Sequence, residues 1–202
     1  MTARPAPPTG ELDGHTLARA CARDPAALRA FVVRYERAVF ALLSRIVGAG
    51  PHVEDLAQET FLRALRALPS FEPEGAARVS TWLLTIATRV ALDARRRHAV
   101  AVVPLDETLV SDHTNPEAES LRRELGRAIA CAAAELSDDQ RAALVLAELH
   151  GFSMAEIARA LSIPENTAKT RLYRARRHMR ERLAPLHIAE ARAITGDDDE
   201  PR

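Results

Sequence analysis

Apolar residues recur at three- and four-residue spacing along most of this chain, the period of helices with one buried face. Asp24-Pro25 marks a helix start: Asp can accept from free helical N–H groups, and Pro suits the first helical position. Leu28, Phe31, Val32, Tyr35, Val39, Leu42, Leu43 and Ile46 follow at helical spacing, and Gly48-Ala49-Gly50-Pro51 ends the run. A second amphipathic helix is expected over 52–68, with Val53, Leu56, Thr60, Phe61, Ala64 and Leu68 inward. A loop over 69–78 comes next. Ser80 is placed to cap a third helix over 81–98, with Trp82, Leu83, Ile86, Val90 and Ala94 inward. Three packed helices make a first domain.

The pattern breaks from Val103 to Ser120. Asp106, Glu107, Asp112, Glu117 and Glu119 stand there with Pro104 and Pro116 and no Lys or Arg, which reads as an acidic, extended linker. Helical spacing resumes at Leu121, Leu125, Ile129, Ala132 and Leu136. Ser137 with Gln140 is a capping box, opening a helix with Leu144, Val145 and Leu149 that Gly151 stops. Ser153 with Glu156 is a second box, opening a short helix with Met154, Ile157, Ala158 and Leu161. Ser162-Ile163 turns the chain, and Pro164 starts a last helix expected to end near Leu183. The fold expected is all-α: two small helical domains, 15–98 and 121–184, joined by a flexible acidic linker over 99–120. Residues 1–14 read as a disordered leader and 185–202 as a disordered acidic tail.

Composition narrows the function classes. Aromatics make up 4% of the 202 residues, which fits Ala/Leu-rich helix packing better than sheet. The formal net charge is zero, so only the distribution of charge can point to a partner. Cys21 and Cys131 have no CxxC or His-rich surroundings, so neither a disulfide nor a metal site is expected, and a reducing cytoplasm is the simplest home. The seven histidines are scattered singly, no nucleophile–base pairing is visible, and neither catalytic residues nor a cofactor is expected. No apolar run is long enough for membrane insertion, and residues 1–10 lack the apolar stretch of a signal peptide.

Three stretches carry candidate chemistry. Ser153 to Arg182 has the short helix, tight turn and longer helix of a helix-turn-helix, with Ile157, Leu161, Ile163, Ala168 and Leu172 as a shared core. Glu165, Asn166, Thr167, Lys169, Thr170, Arg171 and Arg174 are left for the outer face, where a major groove could be read. Arg176, Arg177, Arg180 and Arg182 continue the basic face toward phosphates. The second stretch, Glu54 to Phe61, presents an acidic and amide-bearing face. That face either docks a basic protein surface or is simply solvated. The third, the helix over 81–98, has Thr85, Arg89, Asp93, Arg96 and Arg97 near one side, a surface that could hold single-stranded DNA. Alternatively, Arg95–Arg97 simply favour the helix C-terminus.

These stretches resemble the extracytoplasmic-function group of the sigma-70 family. Asp55-Leu56-Ala57-Gln58-Glu59-Thr60-Phe61 is similar to its polymerase-binding signature. Thr81-Trp82-Leu83-Leu84-Thr85-Ile86-Ala87, with Ala91-Leu92-Asp93 and the Arg run, is similar to the helix that follows. Leu136 through Arg182 resembles the region that binds the −35 element. Arg89 stands where the family often has Asn, and Ser162 where the turn often has Gly.

The resemblance implies a transcription initiation subunit, not an enzyme, with regions 2 and 4 as its two domains. It implies core RNA polymerase as partner, through the β′ clamp helices and the β flap, with Asp55, Gln58, Glu59 and Phe61 at the contact. It implies promoter DNA, with Thr85, Arg89, Asp93, Arg96 and Arg97 at the −10 element and Glu165 to Arg174 at the −35 element, and an anti-sigma factor as inhibitor. About 20 linker residues reach roughly 70 Å when extended, which matches about 20 base pairs. The main rival is a dimeric helix-turn-helix regulator on a palindromic operator; the long linker and the lack of dimerisation heptads speak against it.

Overall fold

The computed structural model describes residues 10–72, 78–97 and 116–195, the side chains of 116–122 and 186–195 excepted. The described chain is helical: α1 Gly14–Cys21, α2 Pro25–Val47, α3 His52–Ala67, a 3-10 turn Leu68–Ser70, α4 Val79–Arg97, α5 Pro116–Ala134, α6 Asp138–Glu148, α7 Met154–Leu161 and α8 Glu165–Thr195. No strand occurs among the described residues.

Capping chemistry places several of the starts. The Asp24 carboxylate accepts from the Ala27 N–H at 2.9 Å, with Pro25 opening α2. Both capping boxes form, Ser137 with Gln140 and Ser153 with Glu156. Phe31, Tyr35, Val39, Leu42, Leu43 and Ile46 then bury the inner face of α2 against α3 and α4. Leu146, Ile157, Leu161, Ala168, Leu172 and Ala175 centre the second module.

Four expectations are corrected. The leader does not run to Gly14 as a disordered segment. Residues 10–13 lie across α2 and are hydrogen-bonded to it, and Asp13 caps a further helix, α1, by accepting from the Thr16 N–H; residues 1–9 lie outside the described residues. Ser80 is not a cap but the second residue of α4, because the helix begins at Val79, itself buried. Helical backbone starts at Pro116, so Glu117 and Glu119 belong to the first turn of α5, where the helix dipole favours acids; the remaining linker, 98–115, lies outside the described residues. Finally, α8 continues through Pro185 to Thr195. Proline removes one helical hydrogen bond, and the helix-forming run Leu186 to Ala193 continues the turn. Residues 196–202 lie outside the described residues.

The two modules share one continuous hydrophobic core, with α6 packed on α2 and α7 on α4. A buried arginine sits at the joint. Arg141, 2% exposed, donates Nε to the Ala133 carbonyl (2.9 Å), Nη2 to Ala134 and Leu136 (3.0 and 2.8 Å), and Nη1 to Ile46 of α2 (2.8 Å). Three of these carbonyls belong to the last turns of α5 and α2, the negative ends of their dipoles. Burial pushes the guanidinium pKa down, and Asp138, 3.5 Å away, opposes the shift. His150 is also largely buried; burial and then the nearby Arg45 charge push it down to about 4, so it is held neutral.

Arg141→Met should lower unfolding free energy by about 3–5 kcal/mol, because four carbonyls lose their donor. Arg141→Lys should fall in between, lacking the fork. An unshifted denaturation midpoint for the methionine variant would contradict the assignment. For His150, the unfolded chain binds the extra proton first, so stability is lost as pH falls from 6.5 toward 4. The loss should reach up to about 3 kcal/mol, and His150→Leu should flatten that part of the pH–stability curve relative to the parent.

Candidate nucleic-acid and protein interfaces

On α3 the core decides which residues face outward. Val53, Ala57, Thr60, Phe61 and Ala64 are buried, which turns Glu54, Asp55 and Gln58 to solvent and leaves Glu59 partly exposed. Glu59 accepts from Arg63 Nε at 2.6 Å. Phe61 is 8% exposed and belongs to the core, so its expected place at the contact is corrected: it seats the helix. The neighbouring Leu62 is 50% exposed and lies on the stripe of Asp55, Gln58 and Glu59. An acidic rim around one apolar side chain suits a basic partner with a small apolar centre.

The candidate single-strand surface follows α4. Thr85 Oγ donates to the Thr81 carbonyl one turn back (2.8 Å) and is half-buried. Asp93 accepts from Arg96 at 2.8 Å, and its backbone carbonyl accepts from Arg97 Nε at 3.2 Å. Arg63 of α3 is 4.0 Å from the same carboxylate, so Asp93 organises cations from two helices. Arg89 is exposed but engaged: its Nη2 donates to the Arg159 carbonyl of α7 at 2.8 Å. Next to it, Arg95 pairs with Asp138 of α6 at 2.8 Å. Trp82 is partly buried against Phe71, ring centroids 5.2 Å apart. Residues 73–77 of the preceding loop lie outside the described residues.

The helix-turn-helix forms as the spacing requires. Ile157, Ala158, Leu161, Ala168 and Leu172 are buried between α7 and α8. Ser162 ends α7 in the left-handed conformation (φ 54°, ψ 46°), and the Ile163 N–H reaches back to the Ala158 carbonyl at 3.0 Å. That geometry is why glycine suits this position. Glu165, Asn166, Lys169, Thr170 and Arg174 are exposed on α8, and Thr167 is half-buried. Arg171 departs from the expected outer face: its guanidinium pairs with Asp139 of α6 at 2.9 Å. Further along, Arg176 pairs with Glu148 and Arg177 with Glu181, while Arg182 pairs with Glu135.

One feature escaped the sequence reading. A mostly apolar groove of about 570 Å³ opens between α5, α6, α8 and the end of α2, lined by Ile129, Ala130, Leu144, Leu149, Met179 and Leu183. Leu125 and Ile129, where helical spacing resumes after the linker, are 42% and 41% exposed. Their i, i+4 spacing marks a face but not what covers it. Arg45, Arg176 and Arg180 rim the groove. Among the described residues there is no cluster of three or more His, Cys, Asp or Glu that could hold a metal, and no helix long and apolar enough to cross a membrane.

With this geometry in place, comparison with known proteins is direct. The sigma-70 region 2 family model matches residues 31–100, and the sigma-70 region 4 model matches residues 126–179. The chain is 34% identical to the ECF RNA polymerase sigma-E factor of Escherichia coli K12 over 174 residues, covering 81% of this chain and 90% of that protein. It is 31% identical to the RNA polymerase sigma-H factor of Pseudomonas aeruginosa over 193 residues, covering 88% and 97%. Among solved structures, CnrH in complex with the cytosolic domain of CnrY aligns with a TM-score of 0.59 at 24% identity, over 85% of this chain and 96% of that one. The sigma factor RpoE of Bartonella quintana, in complex with the anti-sigma factor NepR, aligns at 0.60 and 22% identity, over 77% and 96%. Both share the fold.

Replacing Ser162 by glycine should raise the thermal midpoint, by about 0.5–1 kcal/mol of stability, since a left-handed non-glycine residue carries a steric penalty. A lower midpoint would mean that the serine hydroxyl outweighs the backbone strain.

Proposed function

The chain belongs to the extracytoplasmic-function group of the sigma-70 family, whose members direct promoter-specific transcription initiation, and from that premise we propose how its surfaces divide the work. Region 2 spans residues 15–98 and region 4 spans 121–184. The α3 face of Asp55, Gln58 and Glu59 docks on the β′ clamp helices of core RNA polymerase. Thr85, Arg89, Asp93, Arg96 and Arg97 of α4 hold the opened non-template strand of the −10 element: cations follow phosphates, and the hydroxyl and carboxylate meet an unstacked base. The N-terminal half of α8 enters the major groove of the −35 element, where Asn166, Lys169 and Thr170 reach base edges and Arg174 a phosphate. The groove between α5, α6 and α8 receives an apolar segment of the β flap. Bond making is left to the polymerase, and an anti-sigma factor is the inhibitor.

The observation that carries this reading is that an outward acid and amide face on α3 and a helix-turn-helix with an exposed polar reading face occur on two modules of one chain. Holding two DNA elements nearly two turns apart requires the modules to separate. In that step Arg89 exchanges the Arg159 carbonyl for DNA, and the Arg95–Asp138 pair opens.

Run-off transcription with purified core polymerase and a template library with randomised upstream sequence should give transcripts only when this protein is present. Asp55→Arg should weaken core binding by at least about 100-fold, with the helical signal unchanged. Asn166→Ala should relax sequence preference in the −35 element by about 1–3 kcal/mol per position, whereas Arg174→Ala should weaken all sites alike. A stable dimer on an inverted repeat, with no association to the polymerase, would contradict the proposal.

A further inference from the structure

We propose that Glu11 is a positioning residue for the single-strand surface of α4, holding the first turn of that helix in place from a segment nearly seventy residues earlier in the chain. This rests on the reading of α4 as the −10 surface.

Residues 10–13 form a strap across α2. The Gly10 carbonyl accepts from Arg34 Nε at 2.9 Å, and the Leu12 N–H donates to the Tyr35 hydroxyl at 3.0 Å. Tyr35 in turn donates to Glu11 Oε2 at 3.0 Å. The Glu11 carboxylate also accepts from the Ser80 hydroxyl, and the Ser80 N–H points at it from 3.4 Å. Tyr35 is 2% exposed and anchored in the core through an edge contact with Phe31. Burial, with the Glu11 charge adding to it, pushes the phenol up to about 12, so it remains a donor at any ordinary pH.

The need for such a contact is visible in α4. Its first turn contains no acidic residue, and four N–H groups at a helix start lack intrahelical partners. A carboxylate there both accepts and meets the positive end of the dipole. Glu11 supplies it from outside the helix. Thr85, Arg89 and Asp93 lie at four-residue intervals along α4, so they share one stripe. Fixing the start of the helix against α2 fixes the rotation of that stripe. Ser80 is only about 7–8 Å of helix rise from Thr85. The strap therefore sets the geometry of strand capture without touching DNA, and predicts that its loss separates strand capture from polymerase binding.

The test uses full-length protein reconstituted with core polymerase and a forked fragment of the strongest promoter recovered from the run-off library, with 2-aminopurine in its non-template overhang. Glu11→Ala and Ser80→Ala should each weaken binding to the fork by about tenfold and reduce the 2-aminopurine signal. Affinity for core polymerase should stay within about twofold, because the strap's hydrogen bonds go to α2 and α4 and not to Asp55, Gln58 or Glu59. The double variant should be no weaker than either single variant, since both remove one interaction. Glu11→Gln, which keeps the shape and one acceptor, should fall between parent and alanine. Fork binding equal to the parent in Glu11→Ala and Glu11→Gln, additive losses in the double variant, or a parallel fall in core affinity and fork affinity would each overturn the proposal. If the parent itself yields no promoter from the library, the reading of α4 fails, and this inference with it. If the parent works and the variants match it, only the role of Glu11 falls.

Discussion

A single buried guanidinium holds the described halves of this molecule in register. Arg141 fills the space where the C-terminal ends of α5 and α2 meet the start of α6, and it satisfies carbonyls that helix geometry leaves without donors. Burying an arginine is costly, and that cost is offset only because the fork finds several acceptors and a nearby carboxylate at once. The consequence is geometric. Residues of α2, the scaffold of region 2, and of α6, the scaffold of region 4, share one guanidinium, so the docked arrangement has a defined register and is not a loose collapse of two bundles.

Around this joint the charges are arranged to be spent internally. Arg89 and Arg95 of the α4 surface reach the backbone and a carboxylate of region 4. Arg171 and Arg176 of α8 are paired with Asp139 and Glu148 of α6. A chain with zero formal net charge thus keeps much of its basic surface neutralised by its own acids. Such pairs are individually weak at a surface, and a DNA phosphate competes with them readily. Under the proposed function, such a chain should have little affinity for duplex while its modules are docked and gain it when they part.

Much of this was legible in the sequence because the relevant interactions are local. Asp24 with Pro25, the two Ser–Gln/Glu boxes and the left-handed turn at Ser162 act within three or four residues, and each element starts or stops where those residues stand. What escaped depends on distant partners. Glu11 is one acid in a proline-rich stretch until Tyr35 and Ser80 are brought beside it. No local pattern singles out Arg141 among the helix arginines before the ends of α2 and α5 converge on it. Leu62 stands beside the inward Phe61 in one motif, and its spacing alone does not say that it is left half exposed on the acidic stripe. Ile129 repeats at helical spacing as core residues do, and the groove it borders exists only once α8 crosses α5.

On this reading one chain works as two modules, docked when free and parted on a promoter. A distance between them tests this most directly: spin labels on Cys131 of α5 and on Ala30→Cys of α2, with Cys21 replaced by alanine, read by pulsed electron resonance. The free protein should show one short, narrow distance, and the complex with core polymerase and promoter DNA one longer by tens of ångströms, the scale set by two elements nearly two helical turns apart. The same short distance in an active initiation complex would contradict it.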